Sequence, residues 1–387
     1  MAFFGSDWNN YNYVIINYND GTQQKNNGDN MSILDKMQKA GKIKYSSLMS
    51  KSDVLKKDET PTDVYAMNIV LSGRLDGGIK SGLTLFCGES MSFKTNFALM
   101  CAKAYMDKYD DAVLLFYDSE MGATEDYFTS MGIDMDKTLH IPVTDLEEFN
   151  FDIVSRIEQI ERGDHVFIVF DSLGNVASKK EVEDAMNEKS AQDMSRAKKI
   201  KSIMRQIVPK LNIKDIPMLA INHVYMDISS FIAKPKMTGG EGPLLNADNV
   251  VFITKSQSKT GNELTGYNFT LNVMKSRDAK SKLKIPVTVN FDSGIQKYSG
   301  LIDLALDYGI ITKPSNGWYS KVDMETGEVE QKKYRLNDTN NASFWNPILN
   351  DEGFKAWIEK QCSLSAKMLS DEEITEDFNK FVENDDE

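Results

Sequence analysis

The chain has 387 residues, 41% hydrophobic and 27% charged, enough for two or three domains of roughly 150 residues with proper cores. Its apolar runs, such as Val166–Phe170, are strand-sized against the ~18 residues of a membrane span, and its first twenty residues hold no Lys or Arg. With three scattered cysteines (Cys87, Cys101, Cys362), this excludes a membrane span, a secretory signal and a disulfide or zinc framework, and reads as a soluble intracellular protein. The net charge of −13 does not exclude nucleic acid. Nine acids and one lysine fall between Ser370 and Glu387, leaving a nearly balanced body.

Residues 1–30 hold eight asparagines, three tyrosines and no apolar period, and read as a disordered extension. From Met31 to Thr60 the chain is amphipathic, with seven lysines against four acids, compatible with a short helix. Thr60-Pro61-Thr62-Asp63 reads as a linker. From Tyr65 to about Phe291 short apolar runs alternate with amphipathic stretches, the pattern of an α/β domain with a mostly parallel central sheet. Strands are expected at Leu83–Cys87, Ala112–Tyr117, His165–Phe170, Met218–Ile221, Val250–Ile253, Tyr267–Met274 and Ile285–Asn290. Helices are expected at Lys94–Lys108, Leu146–Arg162 and Ala191–Leu211. The last strands follow one another with no helix between, so the sheet should end in antiparallel strands. After Gly294 comes a small mixed segment with Trp318, Trp345 and Trp357, then the acidic tail from about Ser370.

The chemistry starts at Gly88-Glu-Ser-Met-Ser-Phe-Lys94-Thr95, which follows an apolar strand and opens a helix. That is the setting of a phosphate loop, whose backbone N–H groups and helix N-terminus attract phosphate oxygens. Gly88, Ser92, Phe93, Lys94, Thr95 and Asn96 are therefore nucleotide-site candidates. Lys94 would neutralise the β/γ-phosphates, and the Thr95 hydroxyl would hold Mg²⁺. Phe93 stands where the usual pattern has glycine. Asp171 ends the strand VFIVF as a second Mg²⁺ candidate, and Glu120, past the strand AVLLFY, is free to activate a water. Asp118 reads as a strand-end cap. These groups should share one sheet edge, where open α/β folds bind ligands.

Tyr127 suits base stacking or the core, and His223, closing the strand MLAIN, could sense the γ-phosphate. His140 and His165 read as structural histidines without polar companions. Two long polar stretches follow strand ends: Ser172–Asn187, with Lys179 and Lys180, and Val224–Pro243, with Tyr225, Phe231, Lys234, Lys236, Gly239 and Gly240. About twenty irregular residues in a compact domain mean function or disorder. Lysines among aromatic and small residues suit single-stranded DNA, and a mobile lid is the alternative. Lys275 and Arg277 follow the strand LNVM, able to reach a phosphate in the same subunit or across an interface, or to form a solvated basic turn.

The stretches MNIVLSGRLDGGIKSGLTLFCGESMSFKTNF, VLLFYDSEMG, FDSLGNVASKKEVEDAMNEK, AINH, GGEGP, NVMKSR and YSGLIDLALDYGIITKPSNGWY resemble the RecA-type recombinases, in the branch found in T-even-type phages. The likeness runs from about Met31 to Trp357 and includes Phe93, which that branch shares. It implies a RecA-like P-loop ATPase core over residues 64–294, a polymerisation segment over 31–63, a small C-terminal α/β domain over 295–369 and a disordered acidic tail over 370–387. It leaves residues 1–30 without a counterpart, so Met31 is expected to be the working start or residues 1–30 a disposable extension.

The likeness further implies ATP and Mg²⁺ as cofactors, Glu120 as catalytic glutamate, and Tyr127 as adenine-stacking residue. His223 takes the place of the glutamine that couples nucleotide to the second DNA loop, and Lys275 and Arg277 resemble cations reaching the neighbouring subunit's ATP. The implied partners are single-stranded DNA, homologous duplex DNA, further copies in a helical filament, a phage single-strand-binding protein and a recombination mediator, with no membrane. The implied compartment is the cytoplasm of an infected bacterial host. A RecA-fold hexameric helicase, or an ATP-gated DNA-binding filament without productive turnover, are the alternatives.

Overall fold

The computed structural model describes residues 32–187, 195–227, 234–240, 242–260 and 263–364. They fall into two compact units, one ending at Ser52 and one starting at Asp53. In the first, helix α1 (Ile33–Ala40) begins at Ser32, whose hydroxyl accepts from Asp35 N while the Asp35 carboxylate accepts from Ser32 N. This reciprocal cap satisfies two otherwise orphaned donors.

The second unit opens with β1 (Glu59–Thr60), α2 (Tyr65–Ser72) and β2 (Ile79–Lys80), the two strands pairing antiparallel. Thr60 and Thr62 are buried, the N–H and hydroxyl of Thr62 both donating to Asn68 Oδ1, so these two residues anchor the stretch that composition alone reads as a linker, while Pro61 and Asp63 stay exposed. There follow β3 (Gly82–Gly88), α3 (Lys94–Lys108), β4 (Val113–Asp118), α4 (Glu125–Ser130), β5 (Thr138–Pro142), α5 (Leu146–Gln159), β6 (Val166–Asp171), α6 (Lys179–Met186), α7 (Ser195–Lys214), β7 (Pro217–Asp227), β8 (Lys234–Met237), α8 (Gly242–Asn246), β9 (Asn249–Thr260), β10 (Glu263–Lys275), β11 (Lys284–Asn290) and β12 (Gly294–Ile295). One sheet runs β12-β11-β10-β9-β3-β7-β6-β4-β5, with β8 pairing onto β7. From β9 to β5 the pairs are parallel, and from β9 to β12 antiparallel, as expected from the helix-free run of strands.

The central strands read as continuous apolar runs because both faces are covered. Phe86, Phe116, Phe167 and Leu219 face α2, α3 and the C-terminal region, while Leu85, Tyr117, Phe170 and Ala220 face α5 and α7. The edge strand β5 lacks that signal, since Leu139 and His140 are exposed, and the sequence reading missed it. The C-terminal elements are α9 (Leu301–Tyr308), β13 (Ile311–Ser315), β14 (Trp318–Lys321), β15 (Tyr334–Arg335), α10 (Ala342–Leu349) and α11 (Glu352–Cys362). They share the first core: Tyr298 stacks between Tyr65 and Trp345, with centroids 5.9 and 6.0 Å away. Trp345 is 1% exposed and its indole Nε1 has no partner. Burying roughly 200 Å² gains about 5 kcal/mol, more than the ~1–3 kcal/mol of an unmet donor, so the packing wins.

Candidate functional site

Register gathers the predicted residues. Gly88 pairs with His223 across β3 and β7, and Asp118 with Asp171 across β4 and β6, so these strand ends share the carboxyl edge of the parallel sheet. At Gly88 a Cβ would lie 2.5 Å from Ser92 Oγ and 2.6 Å from Ile253 O, so the loop leaves β3 through a gap only glycine fits. Phe93, just before α3, has φ +66°, a left-handed value costing a non-glycine residue roughly 1–2 kcal/mol. Its ring stacks on Phe269 at 5.2 Å and meets Phe97 edge-on at 5.4 Å, contacts of about 0.5–1.5 kcal/mol each that offset the strain.

The Lys94 ammonium donates to Glu89 O (2.7 Å), Gly88 O (3.2 Å) and Ser92 Oγ (3.3 Å), filling the concavity of its own loop. Burial draws its pKa down, against the pull of Asp171 and Glu120. A buried cation at a helix N-terminus is a site for a polyanion such as a triphosphate. Thr95 Oγ1 donates to Asp171 Oδ2 at 2.6 Å. Desolvation, with the charges of Glu120 and Asp118, pushes the Asp171 carboxyl up to about 6. A carboxylate held so uneasily beside a hydroxyl suits Mg²⁺, which takes one or two protein oxygens and completes its shell with phosphates and water.

Asp118 caps the end of β4 as expected, Oδ1 accepting from Glu120 N (3.0 Å) and Met121 N (2.7 Å). Glu120 presents one oxygen to three groups. Its Oε1 accepts from Ser172 Oγ (2.6 Å) and Asn175 Nδ2 (2.8 Å) and lies 2.7 Å from His223 Nε2. The His223 bond first, then that of Ser172, holds the carboxyl below its ordinary value. Ser172 and Asn175 escaped the sequence reading; their only signal was lying one and four residues past a strand-end aspartate. His140 and His165 are not without companions: Nε2 of the first lies 3.1 Å from Asp118 Oδ2, Nδ1 of the second 2.7 Å from Asp111 Oδ1. Tyr127 is half-buried and its hydroxyl donates to Asn96 Oδ1, so these two candidates meet beside the loop.

Both polar stretches are more regular than expected. Lys179 and Lys180 form the first turn of α6, capped by Ser178 and Glu181, whose side chains each accept from the other's N–H (3.2 and 2.6 Å). The capping pattern Ser-x-x-Glu was present and overlooked. In the second stretch β7 continues to Asp227 and β8 folds back on it, Tyr225 opposite Lys236 and Asp227 opposite Lys234. Phe231 lies outside the described residues. Gly239 and Gly240 have φ of +76° and +81° and abut Ile200 and Ala197 of α7. The two stretches meet at their roots: a Cβ on Gly174 would lie 2.4 Å from Thr238 Oγ1 and 2.7 Å from Asn222 Oδ1. Helix α7 contains no acid and exposes Lys198, Lys201 and Arg205 along one face, cations the sequence reading passed over.

Lys275 and Arg277 lie elsewhere. Lys275 pairs with Val250, and Val250 with Leu85, three residues before Gly88 on β3. At about 3.3 Å per residue this is ~10 Å short of the phosphate loop, and β10 runs on toward the opposite sheet edge. There Lys275 Nζ donates to Leu244 O and Leu245 O (3.0 and 3.1 Å), and Arg277 Nε to Asp248 Oδ1 (2.5 Å). The structure does not bring either cation to the Gly88–Thr95 loop of its own subunit.

Two family models cover most of the chain: the RecA N-terminal domain matches residues 30–296, and the C-terminal domain of the bacteriophage T4 recombination and repair protein matches 298–358. The recombination and repair protein of Enterobacteria phage T4 is 46% identical over 334 residues, covering 84% of this chain and 85% of that one. Protein RecA of Paracoccus denitrificans is 26% identical over 302 residues, 77% of this chain and 82% of the relative. Protein RecA of Aquifex aeolicus is 28% identical over 279 residues, 71% and 78% respectively.

Proposed function

This chain belongs to the RecA family, and from that membership we propose that it is a phage recombinase, an ATP-dependent filament on single-stranded DNA that pairs it with homologous duplex. Lys94 and the amides of the Gly88–Thr95 loop would bind the phosphates, Thr95 and Asp171 would hold Mg²⁺, and the Tyr127 ring would lie against the base. Bound Mg²⁺ would screen the phosphate charge during transfer to water. Glu120, ionised, would orient that water and accept its proton. Lys179 and Lys180, the β7–β8 hairpin with Tyr225, Lys234 and Lys236, the Gly239-Gly240 turn and the α7 cations would carry phosphate and base contacts to DNA.

One observation carries the filament: the phosphate-binding groups and the cations Lys275 and Arg277 occupy opposite edges of one sheet. A site needing both is completed only by stacking one copy's cation edge onto the next copy's nucleotide edge, a head-to-tail contact that propagates as a helix. ATP between copies would then favour the DNA-binding assembly, and hydrolysis would loosen it. The segment over residues 31–63 would contribute to the same polymer contact, and single-strand-binding and mediator proteins are the expected auxiliaries. No described helix is long and apolar enough to cross a membrane. The deciding measurement is ATP turnover with and without single-stranded DNA, with negative-stain images of the same samples. Strong stimulation with open helical filaments is expected; closed rings would replace the reading with a helicase.

A further inference from the structure

The three groups on Glu120 Oε1 come from the roots of the two polar stretches. Ser172 and Asn175 sit at the root of the first, and His223 at the root of the second. Since Oε1 only accepts, the His223 Nε2 facing it carries a proton, so all three are donors. The roots are packed together as well. Thr238 Oγ1 donates to Asn222 Oδ1 (2.9 Å), Asn222 Nδ2 to Thr238 O (3.1 Å), and Arg196 of α7 to Gly174 O. Both stretches therefore grip the same carboxylate oxygen while being tied to each other.

Three donors do two things to a general base. They stabilise its ionised form, which lowers its appetite for a proton, and they fix its direction. Asn175 is exposed, and its amide nitrogen meets the Glu120 carboxylate at 2.8 Å with His223 Nε2 3.5 Å away, so its side chain bears on Glu120 and on the other group that holds it. We propose that Asn175 is a positioning residue that restrains Glu120 while the first stretch is free of DNA, and that DNA bound along that stretch withdraws the amide and releases the carboxylate for catalysis. His223 makes the matching contact from the second stretch, so full release requires both stretches to be engaged. The proposal rests on the reading of Glu120 as the base and adds how that base is kept idle.

The test is steady-state ATP turnover of the full chain, without DNA and with saturating oligo-dT, for wild type, Asn175→Ala, Asn175→Gln, Glu120→Gln and the double variant Asn175→Ala/Glu120→Gln. A hydrogen bond to a charged group is worth roughly a factor of ten or more, so Asn175→Ala should raise the DNA-free kcat about tenfold. Its DNA-saturated kcat and its KM for ATP should stay within about twofold, because the restraint is already lifted there. Asn175→Gln, which keeps the amide donor, should return toward the low wild-type rate, and the double variant should be silent. A DNA-free kcat unchanged or lowered in Asn175→Ala, or a raised rate surviving in the double variant, overturns the proposal. Normal turnover by Glu120→Gln alone would instead remove the reading of Glu120 beneath it.

Discussion

Asp171→Asn isolates what one buried carboxylate costs the folded chain. The carboxyl is 7% exposed, and its pKa stands near 6 against an ordinary 3.8, first because it is desolvated and then because Glu120 and Asp118 repel it. At about 1.4 kcal/mol per tenfold change in proton affinity, keeping Asp171 ionised at pH 7.5 costs the folded state up to about 3 kcal/mol. The isosteric amide removes the charge and still offers an oxygen to the Thr95 hydroxyl, so it should stabilise the chain by up to that amount. The sign with pH follows from the raised folded-state pKa. The penalty is present above about 6, shrinks as the folded carboxyl takes up its proton, and is gone below 3.8, where both states are protonated. Urea unfolding in EDTA, without nucleotide, at pH 7.5 and pH 4.5 checks this: the gain should be clear at the first and mostly lost at the second. An amide variant no more stable than wild type at pH 7.5, or a gain of equal size at both pH values, refutes the argument.

Two further outcomes follow from the geometry. Phe93→Gly relieves the left-handed strain but forfeits the contacts on Phe269 and Phe97 and part of a buried ring, so it should lower stability by about 2 kcal/mol; a higher melting temperature would reverse that balance. Glu120→Gln and the double variant Lys275→Ala/Arg277→Ala should each lose DNA-stimulated ATP turnover, yet an equimolar mixture should regain about a quarter of it, the share of random contacts joining two intact halves. A mixture as inactive as its components would place the cations in their own subunit's chemistry or in none.

How much was legible depended on how each feature is encoded. Strands β3, β4 and β6 are buried on both faces and announced themselves as apolar runs, and α3 begins at Lys94, where the loop from Gly88 ends. Strand β5 is an exposed edge with no such run, and β8 pairs Lys236 with Tyr225, a composition indistinguishable from a loop. The Ser178–Glu181 cap was a readable signal that the polar composition around it masked. Lys94, Thr95, Glu120, Asp171 and His223 could be named because each follows an apolar strand, and strand ends converge on one edge. Asn175 could not, because a short amide in a turn is ordinary until a carboxylate is found 2.8 Å away.

The two sheet edges divide the control of this site in a way that the sequence order hides. Both polar stretches spring from the edge that holds Glu120, so on the proposed reading DNA would act on the base within one subunit through Asn175 and His223. Lys275 and Arg277 leave from the other edge, so on the proposed reading what they add to catalysis would arrive with a second copy. Their anchors differ accordingly. Arg277 is tied through Nε to the buried Asp248 while its side chain remains 72% exposed. Lys275 rests on the last carbonyls of α8, the helix that follows the Gly239-Gly240 turn. On the reading proposed above, a shift of that turn on DNA would move the platform beneath Lys275 as well as the arm that holds Glu120, joining the subunit's own switch to the contact it would make with its neighbour.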